Sequence, residues 1–217
     1  MNRCNKTLWG VSISPVLSDL HNQVISFLSQ KHRQNPDFWH KTISFAAESF
    51  FYFLVIPFIL LFVGSRIFTE PVFVLSTNQF RFMMIFSVLA VFYGLFLVAF
   101  AVRELWIYGY GSPAVHAPPQ KLVTTGPYAL FRNPLVIGNL IYYAGIIFLV
   151  SGSLEICLLS FVATAIPAYF YHKYIEEPEL EKTFGDEYAD YKRDVPGLIP
   201  FVERKPIQNL KQYFFRK

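Results

Sequence analysis

The sequence predicts an all-α integral membrane protein: about four transmembrane helices, a tight C-terminal helical hairpin and a cytoplasmic tail. Three observations carry that prediction. The first is composition. Of 217 residues, 53% are hydrophobic and 18% aromatic, while only 16% are charged, against about 25% charged residues in a soluble domain. Mean hydropathy is +0.36, and 24 phenylalanines with 13 tyrosines suit a lipid-facing surface edged by aromatic belts. The second is a set of four apolar runs, and the third is the distribution of positive charge between them.

The first run is about Phe45–Gly64, with Glu48 near its start and Pro57 inside it. Phe82–Val102 follows, 21 residues without a charge. The third is Leu135–Gly152. The fourth, Ile156–Tyr171, has only 16 residues and needs its flanks to cross about 30 Å of hydrocarbon. Only the stretch 151–155 parts the last two, so they must form an antiparallel hairpin. Lys and Arg number five in residues 1–44, two in 65–81, three in 103–134, none in 151–155 and nine in 172–217. With four spans, one side therefore collects 17 positive residues and the other two. Excess Lys and Arg stays cytoplasmic, which places both termini inside, and the net charge of +4 fits a cytoplasmic face beside anionic membrane lipid. No nucleic-acid module claims that charge.

Residues 1–44 form an N-terminal extension and 45–217 the membrane domain. Within the extension Ser14 can cap a helix with Pro15 at its first position. Leu17, Leu20, Val24, Phe27 and Leu28 then make one apolar stripe, as an interfacial helix has; the alternative is a partly disordered lead-in. The apolar stretch 8–17 is too short for a cleavable signal peptide.

Several chemistries are excluded. Cys4 and Cys157 form no spaced pair, which argues against a disulfide framework or zinc site. His21, His32, His40, His116 and His172 lack metal-ligand spacing, so no metal is assigned. Gly109 and Gly111 are a lone GxG after a membrane helix rather than a strand, not a dinucleotide fingerprint. There is no phosphate-binding loop or nucleophile elbow.

Two polar groups at the mouths of apolar helices remain, and such groups are costly unless used. In Arg132-Asn133-Pro134, Asn is a good N-cap and Pro fits the first helical position, so the third span starts here. A helix N-terminus beside an arginine is an anion site suited to carboxylate or phosphate; the plain alternative is an arginine snorkelling to lipid phosphate. In Glu176-Glu177-Pro178, the proline pushes Glu177 toward extended backbone. Two acids displayed past the fourth span suit an ammonium or sulfonium, or else form a solvated turn. Downstream, Leu180, Phe184, Tyr188 and Tyr191 recur at helical spacing, a stripe more typical of packing than of a ligand box, and Gly185 interrupts it. An anion site with a cation site suits a zwitterion.

The ordered run GYGSP (109–113), LVTTGPYALFRNPLVIG (122–138), EEPELEKTFGDEYADY (176–191) and VPGLIP (195–200) resembles the isoprenylcysteine carboxyl methyltransferase family and the related phospholipid N-methyltransferases. The resemblance covers about residues 81–201. It implies a helical membrane fold that binds S-adenosylmethionine on the cytosolic side, with its methyl acceptor arriving from the lipid. It further implies that Leu122, Gly126, Pro127 and Tyr128 line the cofactor pocket with Arg132, Asn133 and Pro134. Glu176 and Glu177 would approach the cofactor's amino-acid moiety or ribose, and Leu180, Phe184 and Tyr188 would close over it. Arg132 and Glu176 take the catalytic assignment. Two positions depart from the family pattern: Val136 stands where a tyrosine is usual, and Gly197 where an arginine is. Both remove a polar handle.

The implied reaction is methyl transfer from S-adenosylmethionine to a lipophilic acceptor, most like carboxyl O-methylation of an isoprenylcysteine-type group. Phospholipid N-methylation and small-thiol methylation are alternatives. A carboxylate acceptor needs no base, whereas an amine or thiol does, with Tyr128 and His116 as candidates. Two readings from other classes stand beside it. An NADPH-dependent membrane reductase would want several arginines for the 2′-phosphate, and Arg132 stands nearly alone. A non-catalytic membrane protein would leave Arg132, Glu176 and Glu177 without a shared ligand.

Overall fold

The structure, a computed structural model, describes residues 7–8, 11–12, 15–32, 38–113 and 118–198. Its elements are α1 (Pro15–His32), α2 (Phe38–Phe50), α3 (Ile56–Ile67), α4 (Thr77–Ile107), α5 (Pro134–Ser151), α6 (Leu154–Tyr171), α7 (Glu177–Phe184) and α8 (Asp186–Asp194). A π-helical turn, Phe51–Val55, joins α2 to α3, and a second, His172–Glu176, joins α6 to α7. A two-residue antiparallel pair, Thr7–Leu8 with Val11–Ser12, precedes α1. The expected cap at Ser14 and candidate base at His116 lie outside the described residues.

Four helical stretches are long and apolar enough to cross a membrane: Thr42–Ile67, Thr77–Ile107, Pro134–Ser151 and Leu154–Phe184. The four expected spans all appear, the last far longer than its 16 apolar residues suggested. At 1.5 Å per residue a 31-residue helix is about 46 Å long, so α4 and the continuous α6–α7 rod both overrun about 30 Å of hydrocarbon. Helix α2 runs through residue 44 without a break, so the extension and membrane domain share a helix.

Each π-turn is followed by a proline in second place of the next helix, Pro57 and Pro178. A proline has no N–H for the carbonyl four residues back. For Pro57 that carbonyl is Phe53, and the Tyr142 hydroxyl on α5 donates to it at 3.1 Å. Tyr143 donates likewise to the Tyr52 carbonyl at 3.1 Å. In a bilayer these hydroxyls are the partner the backbone needs. The same device corrects the expectation for Glu177. It is not extended but helical, with φ −60° and ψ −46°, and its N–H reaches the His172 carbonyl five residues back. The wide turn carries the helix on through Pro178, with the Glu177 N–H reaching one residue further back than in an α-helix.

Helices α4 and α5 make the principal contact of the bundle. A Cβ on Gly94 would lie 2.7 Å from the Gly138 carbonyl oxygen, and one on Gly145 would lie 2.7 Å from that of Ser87. Small residues thus bring the two backbones together, the usual membrane packing solution. Gly152, at φ +63°, closes α5 in the left-handed conformation that favours glycine. Ser153 then caps α6 by accepting from Ile156 N–H. At this end the buried Glu155 carboxylate accepts the Val72 N–H at 2.8 Å, holding the connection between α3 and α4. At the opposite end lie the C-terminus of α4, the N-terminus of α5 and the end of the α6–α7 rod.

Helix α1 contacts α7. Its buried residue is Ile25, while Leu17, Leu20, Val24 and Phe27 stay exposed. Those four residues of the stripe therefore face away from the protein.

Candidate functional site

The two sequence motifs meet at the end shared by α4, α5 and α7. Asn133 caps α5 through its side-chain oxygen, which accepts Val136 N–H at 3.2 Å, and Pro134 takes the first turn. This fixes Arg132 just outside the helix, turned inward. The guanidinium donates from Nη2 to Glu177 Oε1 at 2.6 Å, and from Nη1 to the carbonyls of Val195 at 2.7 Å and Lys192 at 3.1 Å. Its side chain is 3% exposed, so it does not snorkel to lipid. A charged group this deep needs such partners, and the carbonyls it takes up are those at the C-terminal end of α8, where a cation is favoured. The backbone N–H of Arg132 also donates to the Pro196 carbonyl at 2.9 Å. The tail is thereby fastened to the start of α5.

Glu177 carries a second cation. Lys192 Nζ lies 2.6 Å from Glu177 Oε2 and 2.9 Å from Glu181 Oε1. Burial works against the Lys192 ammonium, but the bonds to these two glutamates prevail and raise its pKa. Glu176 points elsewhere. Its Oε2 accepts Asn133 Nδ2 at 2.7 Å and lies 2.9 Å from His172 Nδ1. Its side chain remains 32% exposed against 6% for Glu177. Neither acid is in a solvated turn; Glu177 is a buried counter-ion and Glu176 is the one a ligand can reach.

Tyr128 sits in the short 3-10 turn Gly126–Ala129. It is buried, and its hydroxyl has no hydrogen-bond partner. Burial, then the Tyr191 phenol and the Glu176 and Glu104 carboxylates, hold its phenol well above the ordinary tyrosine range. That makes it a donor rather than a base at neutral pH. Its carbonyl accepts the Tyr191 hydroxyl at 2.6 Å. Gly126 needs to be glycine, because φ is +59° and a Cβ would lie 2.9 Å from Glu104 Cγ.

Leu122, Leu180 and Phe184 pack against a core of Ala129, Tyr188, Tyr191 and Val195. The side chains of the aromatic stripe pack together here. The buried Tyr188 hydroxyl has no partner, and burial first, then Glu177, raises its pKa. Gly185, at φ +56° with nothing within 4 Å of a Cβ, is the joint that folds α8 back onto this core. Pro127 is buried, and its carbonyl accepts the N–H groups of Leu130 and Phe131. Val136 and Gly197 are half-buried and buried respectively.

Two residues in the site had no visible sequence signal. Glu104, near the end of α4, is buried and accepts the Thr125 hydroxyl at 2.8 Å and Arg103 Nη1 at 2.8 Å. His172, also buried, opens the second π-turn between Glu176 and Glu177. Glu104 could have been sought as a carboxylate two positions beyond an apolar span, whereas nothing local marks His172. No cluster able to hold a metal occurs among the described residues.

Between α2 with its π-turn and α4, an apolar cavity of about 620 Å³ is lined by Phe45, Phe53, Val98, Val102, Trp106 and Arg103.

Comparison with known proteins bears out the resemblance read from the motifs. Residues 82–187 match the phospholipid methyltransferase family model. The chain is 30% identical over 118 residues to the human protein-S-isoprenylcysteine O-methyltransferase, covering 51% of this chain and 41% of that protein. The Tribolium castaneum protein of the same name is 34% identical over 82 residues, 38% of this chain and 28% of its own. A methanethiol S-methyltransferase of Crocosphaera subtropica is 26% identical over 106 residues, 49% of this chain and 38% of that protein. The chain thus spans less than half the length of these curated relatives. No solved structure matches it.

Proposed function

We propose that this chain, similar through residues 82–187 to the phospholipid methyltransferase family, is a membrane methyltransferase that uses S-adenosylmethionine. Its acceptor is lipophilic and most like an isoprenylcysteine carboxylate. The observation that carries the reading is the convergence, inside the matched stretch, of Arg132 and Asn133 with Glu176 and Glu177 at one bundle end.

The residues present fit such a cofactor. The buried hydroxyls of Tyr128 and Tyr188 have no hydrogen-bond partner, and a buried polar atom left so costs about 1–3 kcal/mol. A polar zwitterion seated among them would satisfy them. Glu176 would face its positive charge and Tyr128 would donate to an acceptor atom on it. Arg132 is already committed to Glu177 and to the end of α8, so its part is to hold the wall of the site closed; an anionic group would be drawn by what remains of its field and by the α5 N-terminus. Bound there, S-adenosylmethionine supplies a methyl group activated by its sulfonium.

The chain's own contribution is position. Arg132 fastens the α8 tail over the start of α5, which closes one wall of the site. Orienting two reactants in such a site is worth about 7–11 kcal/mol. The apolar cavity lined by Phe45, Val98 and Trp106 supports a greasy acceptor tail, and Arg103 in its lining supports an anionic head. A carboxylate acceptor is already ionised, which suits a site whose tyrosines are held neutral. Similarity to a methanethiol S-methyltransferase supports a small thiol as the second reading.

Calorimetric titration of the purified protein with S-adenosylmethionine and, separately, NADPH tests the class. Binding of the first alone is expected; binding of NADPH alone would transfer the chain to the reductases. Turnover with labelled cofactor across prenylcysteine analogues, phosphatidylethanolamine and small thiols then names the acceptor. By the 17-to-2 charge split both termini face the cytoplasm, so the cofactor enters from that side and the acceptor from the bilayer.

A further inference from the structure

We propose that His172 is the positioning residue of the cofactor site, acting through Glu176; this rests on the reading that Glu176 faces the cofactor's positive charge. The inference comes from three contacts of one buried ring. His172 is 3% exposed. Its Nδ1 lies 2.9 Å from Glu176 Oε2 and 3.4 Å from Asn133 Nδ2, which itself donates to that oxygen at 2.7 Å. Its Nε2 lies 3.4 Å from Glu177 Oε1 without forming a hydrogen bond. Since a carboxylate only accepts, the Nδ1 contact is assigned as a donation to Glu176. Glu177, on the Nε2 side of the ring, is paired with Arg132 and Lys192.

The backbone adds to this. The His172 carbonyl accepts the Glu177 N–H across the π-turn, so one residue fixes the turn's geometry at one end and the Glu176 carboxylate at the other. With two donors on Oε2, Glu176 is held in a single orientation, and its exposed part is directed by that choice. A glutamate, with three rotatable bonds, loses affinity when unrestrained, because the ligand must then order it. A free Glu176 on the same helix would present charge without direction.

Asparagine and glutamine separate the two ring nitrogens. The terminal amide of Asn occupies the Nδ1 position, and that of Gln the Nε2 position. We expect His172→Asn, in the full chain in lipid nanodiscs, to bind S-adenosylmethionine within about threefold of the native protein, and His172→Gln and His172→Leu to lose about tenfold, the value of a hydrogen bond to a charged group. In a Glu176→Gln background the same three substitutions should make no further difference, since residues that act through one another are not additive. The loss should appear in KM for the cofactor while kcat changes little.

Equal binding by His172→Leu and the native protein would overturn the inference, as would His172→Asn being as impaired as His172→Leu. So would an undiminished tenfold loss in the Glu176→Gln background. A native protein that does not bind S-adenosylmethionine overturns the functional reading and this inference with it; native binding with an indifferent His172 overturns the inference alone. Affinity is measured per folded protein by titration, and His172→Asn, the smaller polar change, provides the comparison if His172→Leu fails to fold.

Discussion

Arg132 Nη2 stands 2.6 Å from Glu177 Oε1, across 45 residues of sequence, and ties the turn before α5 to the start of α7. Both side chains are almost wholly buried, at 3% and 6% exposure. Removing one partner of a buried pair leaves an uncompensated charge, at a cost of about 3–5 kcal/mol. Arg132→Met is therefore expected to lower thermal stability by that order and to release α8. The check is a melting curve in detergent alongside protease sensitivity after residue 185. A melting temperature unchanged from the native protein would return Arg132 to a surface role.

Cofactor charge recognition should follow exposure rather than sequence adjacency. Glu176 is the reachable acid, Glu177 the structural one. Glu176→Gln should weaken S-adenosylmethionine binding by about tenfold with little change in stability. Glu177→Gln should chiefly destabilise, because it strands Arg132 and Lys192. Titration and melting of the two variants side by side would reveal the reverse order, if that holds.

The cavity predicts how acceptors are told apart. Ala99→Trp places bulk where the exposed Ala99 lines the apolar space, away from the α4–α5 contact. It should raise KM for a farnesylated cysteine analogue while leaving a small thiol untouched. Equal effects on both would detach the cavity from the acceptor.

Gly126 tests the turn that carries Tyr128. Gly126→Ala adds a Cβ 2.9 Å from Glu104 Cγ at a φ of +59°, a strain of order 1–3 kcal/mol. Activity should fall, and Glu104→Ala, by clearing that space, should restore part of it. Rate measurements on the two single variants and the double variant decide the point.

Topology is read by reporter fusions at the C-terminus and within the turn 151–153. The charge split requires opposite sides; a match would remove the four-span arrangement of orientation.

Much of this was written in the sequence. The four spans were legible because hydrocarbon demands long apolar runs and nothing else tolerates them. The start of α5 was legible because an Asn-Pro pair has one cheap use at a helix entrance, and the hairpin because five residues leave no room for another path. The tertiary structure decided what those elements do to one another. Pro178 signalled a break, yet a π-turn set by His172 and Glu177 kept the helix continuous, since shifting a hydrogen bond by one residue costs less than ending the rod. Arg132 looked like an open anion site and is instead closed by Glu177 and by carbonyls of a helix 60 residues away. The first run with its Pro57 told nothing of Tyr142, which donates to the carbonyl that proline left bare. A lone histidine has no periodicity to read, and His172 became visible only when folding set it between two glutamates. Hydrophobic pattern is local and additive, so the chain states it outright. The pairing of buried polar groups depends on which distant backbone arrives beside them, and only packing determines that.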